Sequence, residues 1–245
     1  MFFDKLFNPH PKETIKQVSS RPYGETNIGM RRENNEDAIL IFDPRDLPNQ
    51  SGLHGVFVVA DGVGGQEHGE IAAWSLISSI YKEASRGRYL DQNGLKEINS
   101  RIEAGASTLV LAQQLNEDLN HYFLYSVGDS SALLLDQNDR SLREITHRDE
   151  NSTGGVTQAM GPDTSSFHLK QANECTVNLK EGQTLLLASD GFTRYIDNGK
   201  FPSSQILELR QKFPDESNFV KALINQTNYL GGADNITIIS IPYQI

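Results

Sequence analysis

The chain has 245 residues, and its 22 lysines and arginines against 32 aspartates and glutamates give a formal net charge of −10. That acidity argues against nucleic acid or an anionic membrane as the main partner, because both attract clustered positive charge. The apolar content of 37% is that of a globular protein, and every apolar run is far shorter than the roughly 18 residues of a membrane-spanning helix.

Residues 1–22 are predicted to be an N-terminal extension, because three prolines punctuate a polar stretch before any regular pattern begins. Four apolar side chains in this extension can dock as a short amphipathic turn: Phe2, Phe3, Leu6 and Phe7. The same stretch has no apolar run of signal-peptide length, and the single cysteine, Cys175, cannot form an intramolecular disulfide. Both features predict a cytoplasmic protein.

Residues 23–245 are predicted to form one domain in which strands predominate. Apolar runs of strand length cover residues 38–42, 55–60, 108–112, 122–127, 132–135, 184–188 and 236–241. Because predicted strands tend to follow one another directly, we expect an α+β sandwich of antiparallel sheets rather than a parallel doubly wound sheet.

Three segments have the apolar spacing of helices. They are residues 70–83, a segment that Ser203 or Ser204 can cap, and residues 216–228 with Asp215 as the cap. Trp74, on the first of these helices, is predicted to lie in the core or against a sheet.

Five aspartates stand at the ends of predicted strands. Asp61, Asp129 and Asp190 each follow an apolar run, whereas Asp37 and Asp234 each precede one. Since the end of one antiparallel strand and the start of its neighbour share an edge, these carboxylates are expected at one rim of the fold. Like charges so close disfavour one another's ionisation, and a cation relieves that cost. Oxygen ligands without paired histidines or cysteines favour magnesium, manganese or calcium over zinc.

The glycines after two of these aspartates allow the chain to turn directly beyond a ligand, and a glycine carbonyl can approach a metal closely. Either pair alone, Asp61-Gly62 or Asp190-Gly191, is equally an ordinary hairpin turn. The glycine-rich residues 62–65 have neither the lysine of a P-loop nor the third glycine of a dinucleotide fingerprint. A nucleotide-binding loop is therefore rejected.

Six motifs carry a family resemblance. They lie at residues 29–38, 59–72, 105–109, 127–130, 188–193 and 232–237. Their content and order resemble the motif series of the metal-dependent PPM-type (type 2C) serine/threonine protein phosphatases in their compact bacterial form. The resemblance implies a four-layer αββα sandwich, two mainly antiparallel sheets flanked by helices, with a two-metal centre at one end of the sheets.

The resemblance also implies a metal-ligand set. Asp61 matches the aspartate that bridges the two metals, and Gly62 matches the glycine that offers its carbonyl to one of them. Asp190 and Asp234 match further ligands, and Asp129 matches an aspartate that supports a third, weakly bound metal together with Asp190. The implied cofactors are two Mn2+ or Mg2+ ions, with a third held loosely.

Two catalytic positions follow in the same way. Asp37 matches the carboxylate that holds the second metal, often through its waters, with Glu36 beside it as a weaker candidate. Arg32 matches the arginine that grips the substrate phosphate, a task that suits the planar fork of a guanidinium. Outside the motif, one arginine of a pair would be an ordinary surface residue. The implied reaction is hydrolysis of phosphoserine and phosphothreonine by metal-activated water.

The chain departs from the family pattern in several places. Ser131 and Gln158 stand where arginines are common, and Gln66 stands where a histidine is common. His68 is either a general acid for the leaving oxygen or an exposed loop residue. Only residues 150–155 replace the usual helical flap beside the active site, so an open site is expected.

Two alternatives to a phosphatase come from other classes of protein. A pseudophosphatase that binds phosphoproteins is disfavoured because all five aspartates are present, and a calcium-stabilised binding domain does not explain the Arg32 motif. The expected partners are a phosphorylated protein and a cognate serine/threonine kinase, without nucleic acid or membrane, and a monomer is expected.

Overall fold

The computed structural model describes residues 21–46, 54–63, 68–115, 118–162 and 169–244. Within these ranges the strands are β1 (Tyr23–Asn27), β2 (Asp37–Phe42), β3 (Val56–Asp61), β4 (Leu109–Gln114), β5 (His121–Val127), β6 (Ser131–Asp136), β7 (Ser141–Glu144), β8 (Asn173–Asn178), β9 (Gln183–Ala188) and β10 (Ile236–Pro242). The helices are α1 (Gly69–Ala84), α2 (Gln92–Asn99), α3 (Asp190–Asp197), α4 (Ser203–Lys212) and α5 (Glu216–Tyr229), with a 3-10 turn at Pro44–Asp46.

The strands form two five-stranded sheets in which every pairing is antiparallel. One sheet has the order β1-β10-β9-β6-β7 and the other has the order β2-β3-β4-β5-β8. Among the described strands, the chain passes between the sheets four times, and one of these passages is the short connection from β5 to β6. That connection carries one of the strand-end aspartates, Asp129.

Buried side chains alternate along the central strands and so define four layers. In β3, Phe57 and Val59 pack between the two sheets, whereas Val58 packs against the face covered by α1 and α2. In β9, Leu187 packs between the sheets and Leu186 packs against the face covered by α3, α4 and α5. This period-two alternation is what a sheet buried on both faces requires. The predicted αββα sandwich is confirmed.

All seven predicted strands are present, with boundaries that differ by two residues or fewer. The sequence pattern missed β1 and β7, which lie at sheet edges and are too polar or too exposed to form apolar runs. It also missed α2 and α3, each only eight residues long. Short helices depend on tertiary packing more than on their own periodicity.

The three predicted helices are present, but one cap and one core position were wrong. Asp215 does cap α5, because its side chain accepts a hydrogen bond from the backbone N–H of Asn218 at 2.9 Å. Helix α4 instead begins after Pro202, whose extended backbone directs its carbonyl into the first turn, and Ser203 is already helical. Trp74 is 59% exposed, since it lies off the stripe of α1 that packs on the sheet.

The predicted division into residues 1–22 and a single domain from residue 23 stays a prediction, because residues 1–20 lie outside the described ranges. The same holds for the docking of Phe2, Phe3, Leu6 and Phe7. No helix in the described part of the chain combines the length and the apolar character needed to cross a membrane.

Candidate metal centre

The aspartates at the strand ends meet at one rim because the two sheets deliver them from adjacent strands. Asp37 opens β2 and lies directly opposite Asp61, the last residue of β3, in the antiparallel register. Asp190 follows β9, and Asp234 precedes β10, which pairs with β9. Asp129 lies in the crossover between the sheets. The expected convergence of the five carboxylates thus follows from strand pairing.

The nearest carboxylates form a compact cluster. Oxygen atoms of Asp61, Asp129 and Asp190 all lie within 4.8 Å of one another. Together with Asp234 they line a cavity of about 410 Å³ that opens at the rim. The other described residues that line it are Arg32, Glu36, Gly62, Val63, Thr108, Gly154, Gly155, Val156, Arg194 and Asn235.

Asp37 lies behind this cavity and is only 4% exposed. One of its carboxylate oxygens accepts hydrogen bonds from the Ser189 hydroxyl at 2.9 Å and the Thr237 hydroxyl at 2.6 Å. The other oxygen, Oδ1, is buried without a hydrogen-bond partner. A buried acceptor without a partner is costly, and a cation beside it removes the cost. The donor set of this rim therefore fits hard divalent cations.

Burial and mutual repulsion raise the pKa values of these carboxyls. Burial raises the pKa of Asp61 well above its ordinary value, and the charges of Asp37 and Asp190 raise it further. Burial also raises the pKa of Asp190 to about 7, with Asp129 adding to the effect and Arg194 opposing it. Burial raises the pKa of Asp37 to about 6 despite its hydroxyl donors. The cluster is thus destabilised as a set of free anions at neutral pH, which is the condition that bound cations relieve.

The structure places Arg32 at the mouth of the cavity. Its Nη2 donates to Asp234 Oδ2 at 2.7 Å, and its side chain remains 40% exposed. Glu36, the weaker ligand candidate, also lines the cavity. Asn235 holds this segment in place, because its side-chain oxygen accepts from the Glu36 N–H at 2.9 Å and its amide donates to the Asn34 carbonyl at 2.9 Å.

Two glycines are required by close backbone packing rather than by positive φ angles. A Cβ on Gly62 would lie 2.6 Å from the backbone carbon of Gly69, where α1 begins. A Cβ on Gly191 would overlap the carbonyl oxygen of Asn235. These glycines let the strand ends carrying Asp61, Asp190 and Asp234 approach closely enough to share one cavity.

Sequence reasoning missed Arg194, which is the second arginine of the cavity. Its Nη2 forms an ion pair with Asp190 Oδ2 at 2.5 Å and donates a hydrogen bond to Asp129 Oδ2 at 3.4 Å. The sequence feature that could have revealed this contact is the spacing of four residues between Asp190 and Arg194. Side chains at that spacing are neighbours only when the segment is a helix. Because α3 was not predicted, that spacing had no structural meaning at the level of the sequence.

The departures from the family pattern have defined surroundings. Near Ser131, Arg148 supplies the guanidinium that an arginine at position 131 would have brought. Its Nε donates to the Ser131 hydroxyl at 2.8 Å, and the same side chain pairs with Glu144 and Asp197. Gln158 donates to Asp149 Oδ1 at 2.9 Å. His68 is exposed at the start of α1 and is absent from the described residues that line the cavity. Gln66 lies outside the described residues.

The segment that replaces the usual flap is a tight loop. Asn151 closes it, because its side-chain oxygen accepts from the backbone N–H groups of Thr153 at 2.9 Å and Gly155 at 3.0 Å. A bridge between Glu150 and Val156 pins its base, and residues 149–162 contain no helix. This short loop forms one wall of the cavity and does not extend over its mouth.

Comparison with known families gives one match that spans most of the chain. A model of the family described as protein phosphatase 2C matches residues 30–235. The chain is 26% identical over 250 residues to the serine/threonine phosphatase stp of Listeria welshimeri, covering 88% of this chain and 93% of that protein. It is 25% identical over 244 residues to the serine/threonine protein phosphatase PstP of Mycobacterium tuberculosis, covering 86% of this chain and 42% of that protein.

Solved structures share the fold. The S. agalactiae serine/threonine phosphatase superposes with a TM-score of 0.73 at 19% identity, covering 91% of this chain and 99% of the other. The catalytic domain of PstP in complex with two manganese ions superposes with a TM-score of 0.67 at 22% identity, covering 91% of this chain and 97% of the other. At these identities the comparison shows the shared architecture.

Proposed function

The chain belongs to the protein phosphatase 2C family, and we propose that it hydrolyses phosphoserine and phosphothreonine in proteins with two divalent cations, Mn2+ or Mg2+. The proposal rests on the cluster of carboxylate oxygens from Asp61, Asp129 and Asp190, which lie within 4.8 Å of one another and line the cavity. An arginine at the mouth of that cavity, Arg32, supplies the complementary charge for a phosphate.

Five residues are proposed to hold the two metals, and each has support in its position. Asp61 lies within electrostatic reach of the four other aspartates and would help to hold both metals. Gly62 lines the same cavity and offers its carbonyl, and Asp190 and Asp234 face it from the other sheet. Asp37 approaches from behind with an oxygen that has no protein donor. This oxygen-only set suits magnesium or manganese.

When bound, such cations supply an acidified water nucleophile and neutralise charge on the phosphoryl group. The chain's own residues orient the reactants. Arg32 can hold two phosphoryl oxygens with its planar guanidinium, and Asp234 fixes that guanidinium at the cavity mouth. Ser189 and Thr237 fix the rotamer of Asp37 through their hydroxyl donors. The pre-set positions of these groups contribute to the rate because they need no reorganisation during the reaction.

The shape of the cavity mouth indicates which substrates can reach the aspartates. The loop of residues 150–156 is closed by its own hydrogen bonds and does not cover the cavity. Among the described residues, no segment covers the aspartates, so a phosphorylated side chain on a protein surface can approach them from this side. We propose phosphoproteins as substrates on this basis. A cognate serine/threonine kinase, a monomeric state and a cytoplasmic location are proposed from the sequence.

The pseudophosphatase alternative requires a site that cannot hold metal. All five aspartates converge on the rim, and Asp37 Oδ1 is buried there in a position that a cation would satisfy. A phosphoprotein-binding module without turnover has no use for that arrangement. The catalytic assignment therefore accounts for more of the observed geometry.

The test uses peptides of one sequence phosphorylated on serine, threonine or tyrosine. The purified protein is stripped with a chelator and assayed for phosphate release with added manganese, magnesium or calcium. We expect release from the phosphoserine and phosphothreonine peptides with manganese or magnesium, and little with calcium. Equal release with chelator present, or release from the phosphotyrosine peptide alone, would overturn the proposal.

A further inference from the structure

Arg194 occupies the space between two of the metal-site carboxylates. It projects from α3 one turn beyond Asp190, and its Nη2 reaches Asp190 Oδ2 at 2.5 Å and Asp129 Oδ2 at 3.4 Å. A cation that bound to Asp129 and Asp190 together would have to compete with this tethered guanidinium for the same oxygen atoms. Charge repulsion between the two cations would oppose that binding further.

The charges of the rim support the same view. Among the described residues, six carboxylates belong to it: Glu36, Asp37, Asp61, Asp129, Asp190 and Asp234. Among the described residues that line the cavity, the cations are Arg32 and Arg194. The two guanidiniums leave four negative charges, which two divalent cations balance. For these residues a third divalent cation would leave an excess of two positive charges, and loss of Arg194 would reduce that excess to one.

The rest of the Arg194 guanidinium faces the cavity. Its side chain is 53% exposed, and its Nε and Nη1 have no protein partner among the described residues. A guanidinium has five N–H donors, so the contacts of Nη2 with the carboxylates leave three donors available. Arg194 is therefore held on one side by the aspartates and open on the other.

We infer that Arg194 acts as a fixed internal cation at the Asp129–Asp190 pair, so that the centre of this protein holds two divalent ions and excludes a third. This inference rests on the proposed function, because it concerns the same centre. It makes Arg194 a positioning residue, whose charge compensates Asp129 and one oxygen of Asp190 and leaves Asp190 Oδ1 for the proposed pair of metals. It also replaces the expectation of a third, loosely bound metal with a protein group.

Manganese binding tests the inference without relying on turnover. Isothermal titration is carried out on wild-type protein and on Arg194→Gln, Arg194→Lys and Arg140→Gln variants. Arg140 lies in the β6–β7 turn at the opposite end of the sheet and controls for the loss of one positive charge. We expect about two manganese ions per chain in wild-type protein, Arg194→Lys and Arg140→Gln, and about three in Arg194→Gln.

The outcomes separate this inference from the function on which it rests. Two ions in both wild-type protein and Arg194→Gln would overturn the inference and leave the phosphatase assignment standing. Wild-type protein that binds no manganese would overturn both. If Arg194→Gln does not fold, anomalous diffraction from wild-type crystals soaked in excess manganese decides the point. A third peak between Asp129 and Asp190 refutes the inference, and its absence alongside two peaks supports it.

Discussion

Replacing Asp190 by asparagine should stabilise the metal-free protein at alkaline pH, although it removes a proposed metal ligand. Burial raises the pKa of Asp190 from 3.8 to about 7, so its charge opposes folding, and the opposition grows as the pH rises through that interval. At 1.36 kcal/mol per pH unit, this group costs about 4 kcal/mol at pH 8, where it is charged in the folded protein, and about 2 kcal/mol at pH 5, where folding requires it to take up a proton. Asparagine keeps the shape of the side chain and never acquires the charge.

The assay is urea unfolding followed by circular dichroism, in chelator, at pH 8 and pH 5. We expect the free energy of unfolding of Asp190→Asn to exceed that of wild type by about 4 kcal/mol at pH 8 and by about half that at pH 5. Asp139→Asn, which changes an exposed aspartate in the β6–β7 turn, should stay within about 0.5 kcal/mol of wild type. Equal stabilities at pH 8, or a gap that does not change with pH, would refute the reasoning.

Three further substitutions test separate parts of the structure. Arg32→Lys keeps the charge but loses the planar fork, so kcat/KM for a phosphothreonine peptide should fall about 10- to 100-fold with manganese binding unchanged; an unchanged kcat/KM would contradict the assigned role. Gly191→Ala would place a methyl group against the carbonyl oxygen of Asn235 and should lower the free energy of unfolding by about 3 kcal/mol or more. A thermal melt measures this loss, and a melting temperature equal to that of wild type would show that the backbone contact is not tight. Asp215→Ala removes the cap of α5 and should cost about 1 kcal/mol in denaturant unfolding without altering kcat; a loss of activity in folded protein would argue against a purely structural cap.

The position of the aspartates was predictable from the sequence because strand ends are easy to recognise when the strands are buried on both faces. The run that ends at Asp61 and the run that begins after Asp37 are apolar throughout, and antiparallel pairing then places the two residues side by side. No knowledge of side-chain contacts was needed. The same argument places Asp190 beside Asp234, because β9 pairs with β10.

The features that the sequence pattern missed depend on contacts between distant segments. The edge strand β7 has no exposed-to-buried alternation of its own and exists through its pairing with β6. Arg194 acquires its partners only because α3 turns it back over Asp190 and the crossover brings Asp129 within reach. The guanidinium beside Ser131 likewise comes from Arg148, seventeen positions away. Local periodicity carries none of this information.

The most direct test of the account is manganese-dependent phosphate release from a phosphothreonine peptide by wild-type protein and by Asp61→Asn. The charges of the four other aspartates all act on Asp61, so its loss should disable the centre while the sheets remain folded. We predict no release by chelator-treated wild-type protein, restored release on adding manganese, and at least about a 100-fold lower rate for Asp61→Asn. Release by Asp61→Asn at the wild-type rate would contradict the account.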